Sequence, residues 1–153
     1  VKINLNSLTS YAMVEQIYKA ADNGVKIKMI VRGICCLIPT QHKNIKVISI
    51  IDRFLEHTRI FIFNNNKKNE TYISSADWMT RNLDNRVEVT CPIHDSKIKK
   101  EINDIFNIYW SDNVKSRLIN QKDANVYKSD TKKSNSVRSQ LEIYNYYKSK
   151  IEN

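Results

Sequence analysis

The sequence predicts an α/β fold in which a mixed β-sheet is flanked by helices, and three observations lead there. A strand–helix–strand succession opens the chain, a polar turn later joins two β-branched and aromatic runs, and a capped helical segment follows them. Strands and helices interleave along the chain, without an internal repeat or a low-complexity linker.

Lys2 to Leu5 reads as a short strand. Ser7 or Ser10 can cap a helix over Met13 to Ala21, with Ala12, Ile17 and Ala20 among its apolar positions, and Gly24 stops it. Val25 to Val31 then returns as a strand, which makes a βαβ unit and predicts parallel pairing. After Arg32 and Gly33 comes the apolar stretch Ile34 to Ile38, closed by Pro39 and a polar loop through Asn44. Val47 to Ile51 is a β-branched strand. Arg59 to Phe63 and Thr71 to Ser75 flank the polar turn Asn64 to Asn69 and predict a hairpin. Arg86 to Cys91 is a further strand, ended by Pro92.

From Asp95 to about Tyr109, Ile98, Ile102, Ile105 and Ile108 recur at helical spacing behind an aspartate able to cap. Val114 to Ile119 is ambiguous, and Gln121 to Ser136 reads as polar loop. A terminal amphipathic helix is expected at about 137–151, carrying Leu141, Tyr144 and Tyr147 on neighbouring turns.

The 153 residues suit a single domain, 1–153, and no apolar run approaches the roughly 20 residues needed to span a bilayer. The chain begins with Val and a strand-like fragment rather than a basic leader, so it reads as cut from something larger and not as a signal peptide. Cys35, Cys36 and Cys91 form no metal-type repeat, which argues against a disulfide framework or zinc site and favours a reducing, cytoplasmic setting. Adjacent Cys35 and Cys36 are expected to be small buried residues. Trp78 and Trp110 are expected as core or interface anchors, and His42 and His94 as structural or solvated. With 25 Lys and Arg against 16 Asp and Glu, the net charge of +9 favours an anionic partner, although a lysine-rich composition also yields merely solvated surface. The arginines carry more information, because their planar fork binds phosphate bidentately.

Those arginines cluster around one histidine. In the extended segment Glu56-His57-Thr58-Arg59, residues two apart share a face, so His57 and Arg59 are expected to project together. An imidazole can act as nucleophile or proton carrier while a guanidinium offsets charge on phosphoryl oxygens. Ser74-Ser75-Ala76-Asp77 adds hydroxyls and backbone amides at another strand end. A lone His-x-Arg also suits a surface or structural histidine. Here Arg53, His57, Arg59, Ser74, Ser75, Arg81 and Arg86 all fall near predicted strand ends, where α/β sheets bind ligands.

The segments VRGICCL at 31–37, SIIDRFLEHTRIFIF at 49–63, YISSADWMTRNLDNRVEV at 72–89 and VRSQLEIYNYYKS at 137–149 closely resemble the C-terminal domain of the family-1 polyphosphate kinases, as does INLNSLTSYAMVEQIYKAADNGVKIKMI at 3–30. That resemblance covers nearly the whole chain and implies a phospholipase-D-like fold. His57-x-Arg59 followed by SSAD resembles a divergent form of the phospholipase-D signature, which normally reads His-x-Lys with a downstream Gly-Ser-x-Asn. The resemblance implies reversible transfer of the terminal phosphate of ATP to inorganic polyphosphate through a phosphohistidine located in a preceding domain, absent here. It assigns ATP contacts to Arg32 and His57, gives His57 candidate general acid–base work, and leaves Arg59, Ser74, Ser75, Arg81 and Arg86 as phosphate contacts read from the residues. It also implies an isolated domain without turnover, a magnesium requirement met outside these residues, and a homo-oligomeric parent enzyme. Neither nucleic acid nor membrane is expected as a partner. Two alternatives stand beside it. A noncatalytic polyanion-binding module would bind through charge alone, independently of His57. A phospholipase-D-type nuclease or lipase would need Lys where Arg59 stands.

Overall fold

The structure, a computed structural model, describes residues 1–39, 42–66, 68–120, 126–128 and 136–152. In chain order its elements are β1 (Lys2–Leu5), α1 (Tyr11–Asp22), β2 (Ile27–Val31), β3 (Ile45–Ile50), β4 (Ile60–Asn65), β5 (Lys68–Ser74), α2 (Thr80–Asp84), β6 (Thr90–Ile93), α3 (Ser96–Ser111), β7 (Ser116–Leu118), β8 (Val126–Tyr127) and α4 (Ser139–Ile151). The sheet runs β6-β5-β4-β1-β2-β3-β7-β8. β1, β2 and β3 are parallel, and the remaining pairings are antiparallel. The expected mixed α/β architecture is therefore present.

Side-chain alternation along the central strands fills two cores. Met29, Val31, Ile45 and Val47 face α1 with its Val14, Ile17 and Ala21, while Ile30, Ile48, Ile50, Ile60 and Ile62 meet Phe106 and Tyr109 of α3. Phe106 has no exposed surface and stacks on Trp110, their ring centroids 6.2 Å apart. Truncating a buried aromatic removes its transfer free energy and leaves a cavity. Phe106→Ala is thus expected to cost about 3–5 kcal/mol, read as a lower denaturant midpoint of the chain.

Several boundaries and faces differ from expectation, each for a local reason. Ser10, not Ser7, caps α1 by accepting from Met13 N, so that helix starts at Tyr11. Of its expected apolar positions Ile17 is buried and Ala20 packs against the core, joined by buried Val14 and Ala21, whereas Ala12 is exposed. Val25 is outside β2 because its amide closes the helix end on Ala20 O. Hairpin strands β4 and β5 extend to an Asn65–Lys68 pair, with Asn66 in the left-handed region at φ 45°, a conformation asparagine tolerates. Residues Arg86 to Val89 are not strand; β6 starts at Thr90 and includes Pro92 opposite Tyr72. Proline cannot donate to a ladder, and β6 lies at the sheet edge, where no donor is needed on the open side.

Two short elements were not expected: α2 and, inside the presumed polar loop, β8, paired through Arg117–Tyr127 and Leu118–Val126. Residues 121–125 and 129–135 of that loop lie outside the described residues. Asp95 caps α3 as expected, accepting from Lys97 N and Ile98 N, yet Ile98 is half exposed and Phe106 and Tyr109 form the buried stripe. Leu141, Tyr144 and Tyr147 of α4 also face outward. Cys36 is exposed rather than buried, and half-buried Cys35 has its thiol pKa pushed up by burial. Trp78 stacks on Phe61 at 5.2 Å, in keeping with an anchor. Among the described residues, no helix is long and apolar enough to cross a membrane.

Candidate active site

The parallel strands β1 and β2 end side by side, with Leu5 opposite Val31, and this places Asn6 next to Arg32. Arg32 N donates to Leu5 O and Gly33 N to Asn6 O at 2.7 Å. A Cβ at position 33 would stand 3.1 Å from Asn6 O, so glycine permits the close crossing. Across it, Arg32 Nε donates to Asn6 Oδ1 at 2.9 Å, and Ser49 Oγ of β3 donates to Arg32 O. Asn6 is buried, and its Nδ2 has no partner among the described residues, a cost of about 1–3 kcal/mol carried where its oxygen orients Arg32.

Asp77 joins this corner to the histidine. Its carboxylate accepts from Asn6 N at 2.8 Å and Ser7 N at 3.2 Å, and from Arg59 Nε and Nη2 at 3.2 and 3.0 Å. Both charged side chains are at least nine-tenths buried. The remaining Arg59 nitrogen, Nη1, lies 3.0 Å from His57 Nδ1 and donates to His57 O. Arg59 Nη2 also approaches His57 Nε2 at 3.3 Å. A guanidinium only donates, so it orients the ring by donating to a ring nitrogen. His57 itself is exposed, and Arg32 is partly so. One chain of hydrogen bonds thus runs from Arg32 through Asn6, Asp77 and Arg59 to His57.

The two serines serve the backbone. Ser74 Oγ donates to Val89 O and accepts from Ala76 N, while Ser75 Oγ donates to Glu88 and accepts from Val89 N. Glu88 also accepts from Asn82 Nδ2, and these hydrogen bonds hold its pKa below the ordinary value. Arg81 and Arg86 are exposed, and Arg53 lies over the Phe54 ring; none of the three joins the network among the described residues.

A family model described as polyphosphate kinase C-terminal domain 2 matches residues 1–140. The chain belongs to this family. It is 48% identical over 151 residues to a polyphosphate kinase of Vibrio parahaemolyticus, covering 95% of this chain and 21% of that protein. To the Klebsiella pneumoniae polyphosphate kinase it is 46% identical over 154 residues, covering 97% and 22%. The crystal structure of polyphosphate kinase from Porphyromonas gingivalis superposes with a TM-score of 0.95 at 44% identity, over 99% of this chain and 24% of that one. NucT from Helicobacter pylori, at 16% identity and a TM-score of 0.56, shares the fold over 69% of this chain. This polyphosphate kinase C-terminal domain therefore has the phospholipase-D-like α/β fold expected from its motifs, and spans about a fifth of the length of its curated relatives.

The carboxylates nearest this network already have partners. Asp77 is taken up by Arg59 and two amides, Glu88 by Ser75 and Asn82, and no group of three metal-binding side chains forms among the described residues. In the sequence Asp77 stood out only as the last residue of the SSAD segment, with no role of its own, and Asn6 did not stand out at all. The available signal was an asparagine and an aspartate standing directly at strand or turn ends beside the arginine positions.

Proposed function

We propose that this domain supplies the second half of a polyphosphate kinase active site, for reversible transfer of the terminal phosphate of ATP to inorganic polyphosphate. The observation that carries the reading is the single network holding Arg32 and His57, the two ATP contacts implied by the family likeness. In this scheme a histidine nitrogen of an upstream domain attacks the γ-phosphorus. The bond to the β–γ bridging oxygen breaks, ADP leaves, and a polyphosphate terminal oxygen then displaces the histidine from phosphorus. Arg32 offsets charge on the nucleotide phosphates, and His57 holds or releases the proton that the terminal oxygen exchanges. Arg59, fully occupied by Asp77 and His57, works here by orienting the imidazole. Residues 1–153 act as one domain with α4 included, within a cytoplasmic homo-oligomer whose remaining domains bring the nucleophile and any magnesium.

Arg32→Ala tests the nucleotide assignment in the full-length enzyme that carries this domain. Removing a charge-assisted phosphate contact is expected to raise the KM for ATP about tenfold, corresponding to about 1.4 kcal/mol. An unchanged KM would remove Arg32 from the site.

A further inference from the structure

The loop that brings His57 to the site runs from Ile51 to Thr58, between β3 and β4, without helix or strand pairing. Side chains from the C-terminal third of the chain hold it. Gln140, in the first turn of α4, accepts from Phe54 N at 3.1 Å, and its Nε2 donates to Phe54 O at 2.9 Å and Glu56 Oε1 at 2.7 Å. Its amide pairs with Phe54 as a neighbouring strand would. Arg138, the residue preceding α4, donates from Nε and Nη2 to the two oxygens of Asp52 at 2.8 and 2.6 Å. From α3, Tyr109 OH donates to Glu56 Oε2 at 2.6 Å.

The anchor behind these contacts is itself rigid. Fully buried Asp112 accepts Ser139 N and Oγ at 2.8 and 2.7 Å, and it also takes the amides of Val114, Lys115 and Ser116. The start of α4 is therefore fixed to the α3–β7 junction. An open cleft of about 440 Å³ runs beside the loop, lined by Phe54, His57, Tyr109, Gln140 and Ile143. Phe54 and Leu55 of the loop are exposed, so its hydrogen bonds rather than buried apolar side chains hold these residues in place. Asp52 strengthens the grip: the Arg138 hydrogen bonds hold its carboxyl below the usual carboxylate range, so the pair persists at neutral pH and is lost only as pH falls through that lowered value.

We propose that Gln140, Arg138 and Tyr109 are positioning residues for phosphoryl transfer, clamping the 51–58 loop so that His57 meets Arg59 in register with the substrate. The proposal rests on the catalytic reading of His57. It gives the terminal helix a role in the half-site that its exposed tyrosines do not reveal.

The test measures kcat, KM for ATP and melting temperature for variants of the full-length enzyme. Displacement of a reacting group by about 1 Å can cost as much as 10²-fold in rate. Gln140→Ala and Tyr109→Phe are expected to lower kcat about tenfold per folded molecule, with a smaller change in KM. Arg138→Ala should do the same, and Arg138→Lys should recover at least about a third of the lost rate, because one charge-assisted bond to Asp52 survives. Lys148→Ala, exposed on the same helix, serves as the unaffected control. A kcat within twofold of the parent for both Gln140→Ala and Tyr109→Phe would overturn the proposal, as would losses that vanish on normalising to folded protein. His57→Ala separates the two readings. An inactive His57→Ala beside fully active Gln140→Ala and Tyr109→Phe removes the clamp alone, whereas an active His57→Ala removes the catalytic reading and the clamp with it.

Discussion

His57→Ala in the full-length enzyme is expected to lower polyphosphate synthesis by at least about a hundredfold, the lower bound for losing a positioned acid–base group. The same variant should melt close to the parent. His57 is exposed, and its removal leaves Arg59 still engaged by two hydrogen bonds to Asp77, so no buried charge loses its partner. This separation of activity from folding makes the result interpretable. Synthesis surviving within a few-fold would show that the imidazole neither contacts the reacting phosphates nor carries their proton. The noncatalytic alternative predicts that outcome, together with polyanion binding that weakens steeply with salt and ignores His57.

The parts of the fold legible in the sequence were those governed by local periodicity. β1, α1 and β2 could be read from alternation, a capping serine and Gly24, and α3 from Asp95 and its isoleucines. The seating of α4 could not, because Leu141, Tyr144 and Tyr147 on neighbouring turns do not say what the helix packs against. The helix is instead set by a polar anchor, Ser139 on buried Asp112, whose partners lie 27 residues apart in sequence. β6 was displaced for a similar reason, since tolerance of Pro92 depends on edge position, a property of the assembled sheet.

The site divides along the same line. His57 and Arg59 were expected together from two-residue spacing, and their nitrogens do meet. Nothing local joins Arg32 to them; the sequence likeness singled it out, and its connection runs through Asn6 and Asp77. The arginine density that first drew notice was less informative, with Arg81 and Arg86 on exposed surface.

Asp77→Ala is expected to cause the largest loss of stability in the site, about 4 kcal/mol, seen as a large drop in the urea midpoint. Breaking a buried ion pair from one side costs about 3–5 kcal/mol, because the surviving charge stays buried without its counter-ion. Arg59 would be left so, its side chain 9% exposed, while Asn6 N and Ser7 N would lose their acceptor. Against a typical total of about 5–15 kcal/mol, such a loss approaches unfolding. Asp77→Asn should cost less, since an amide oxygen can still accept from Asn6 N. The paired replacement Asp77→Leu with Arg59→Leu distinguishes stability from function: removing both charges from a buried site can be neutral, so stability should largely return. Activity should not return, because the imidazole then has no guanidinium to orient it and Asn6 no carboxylate to fix its backbone beneath Arg32. An Asp77→Ala midpoint shifted by less than the equivalent of about 1 kcal/mol, a loss ordinary for a single substitution, would mean that the buried pair does not hold this corner together.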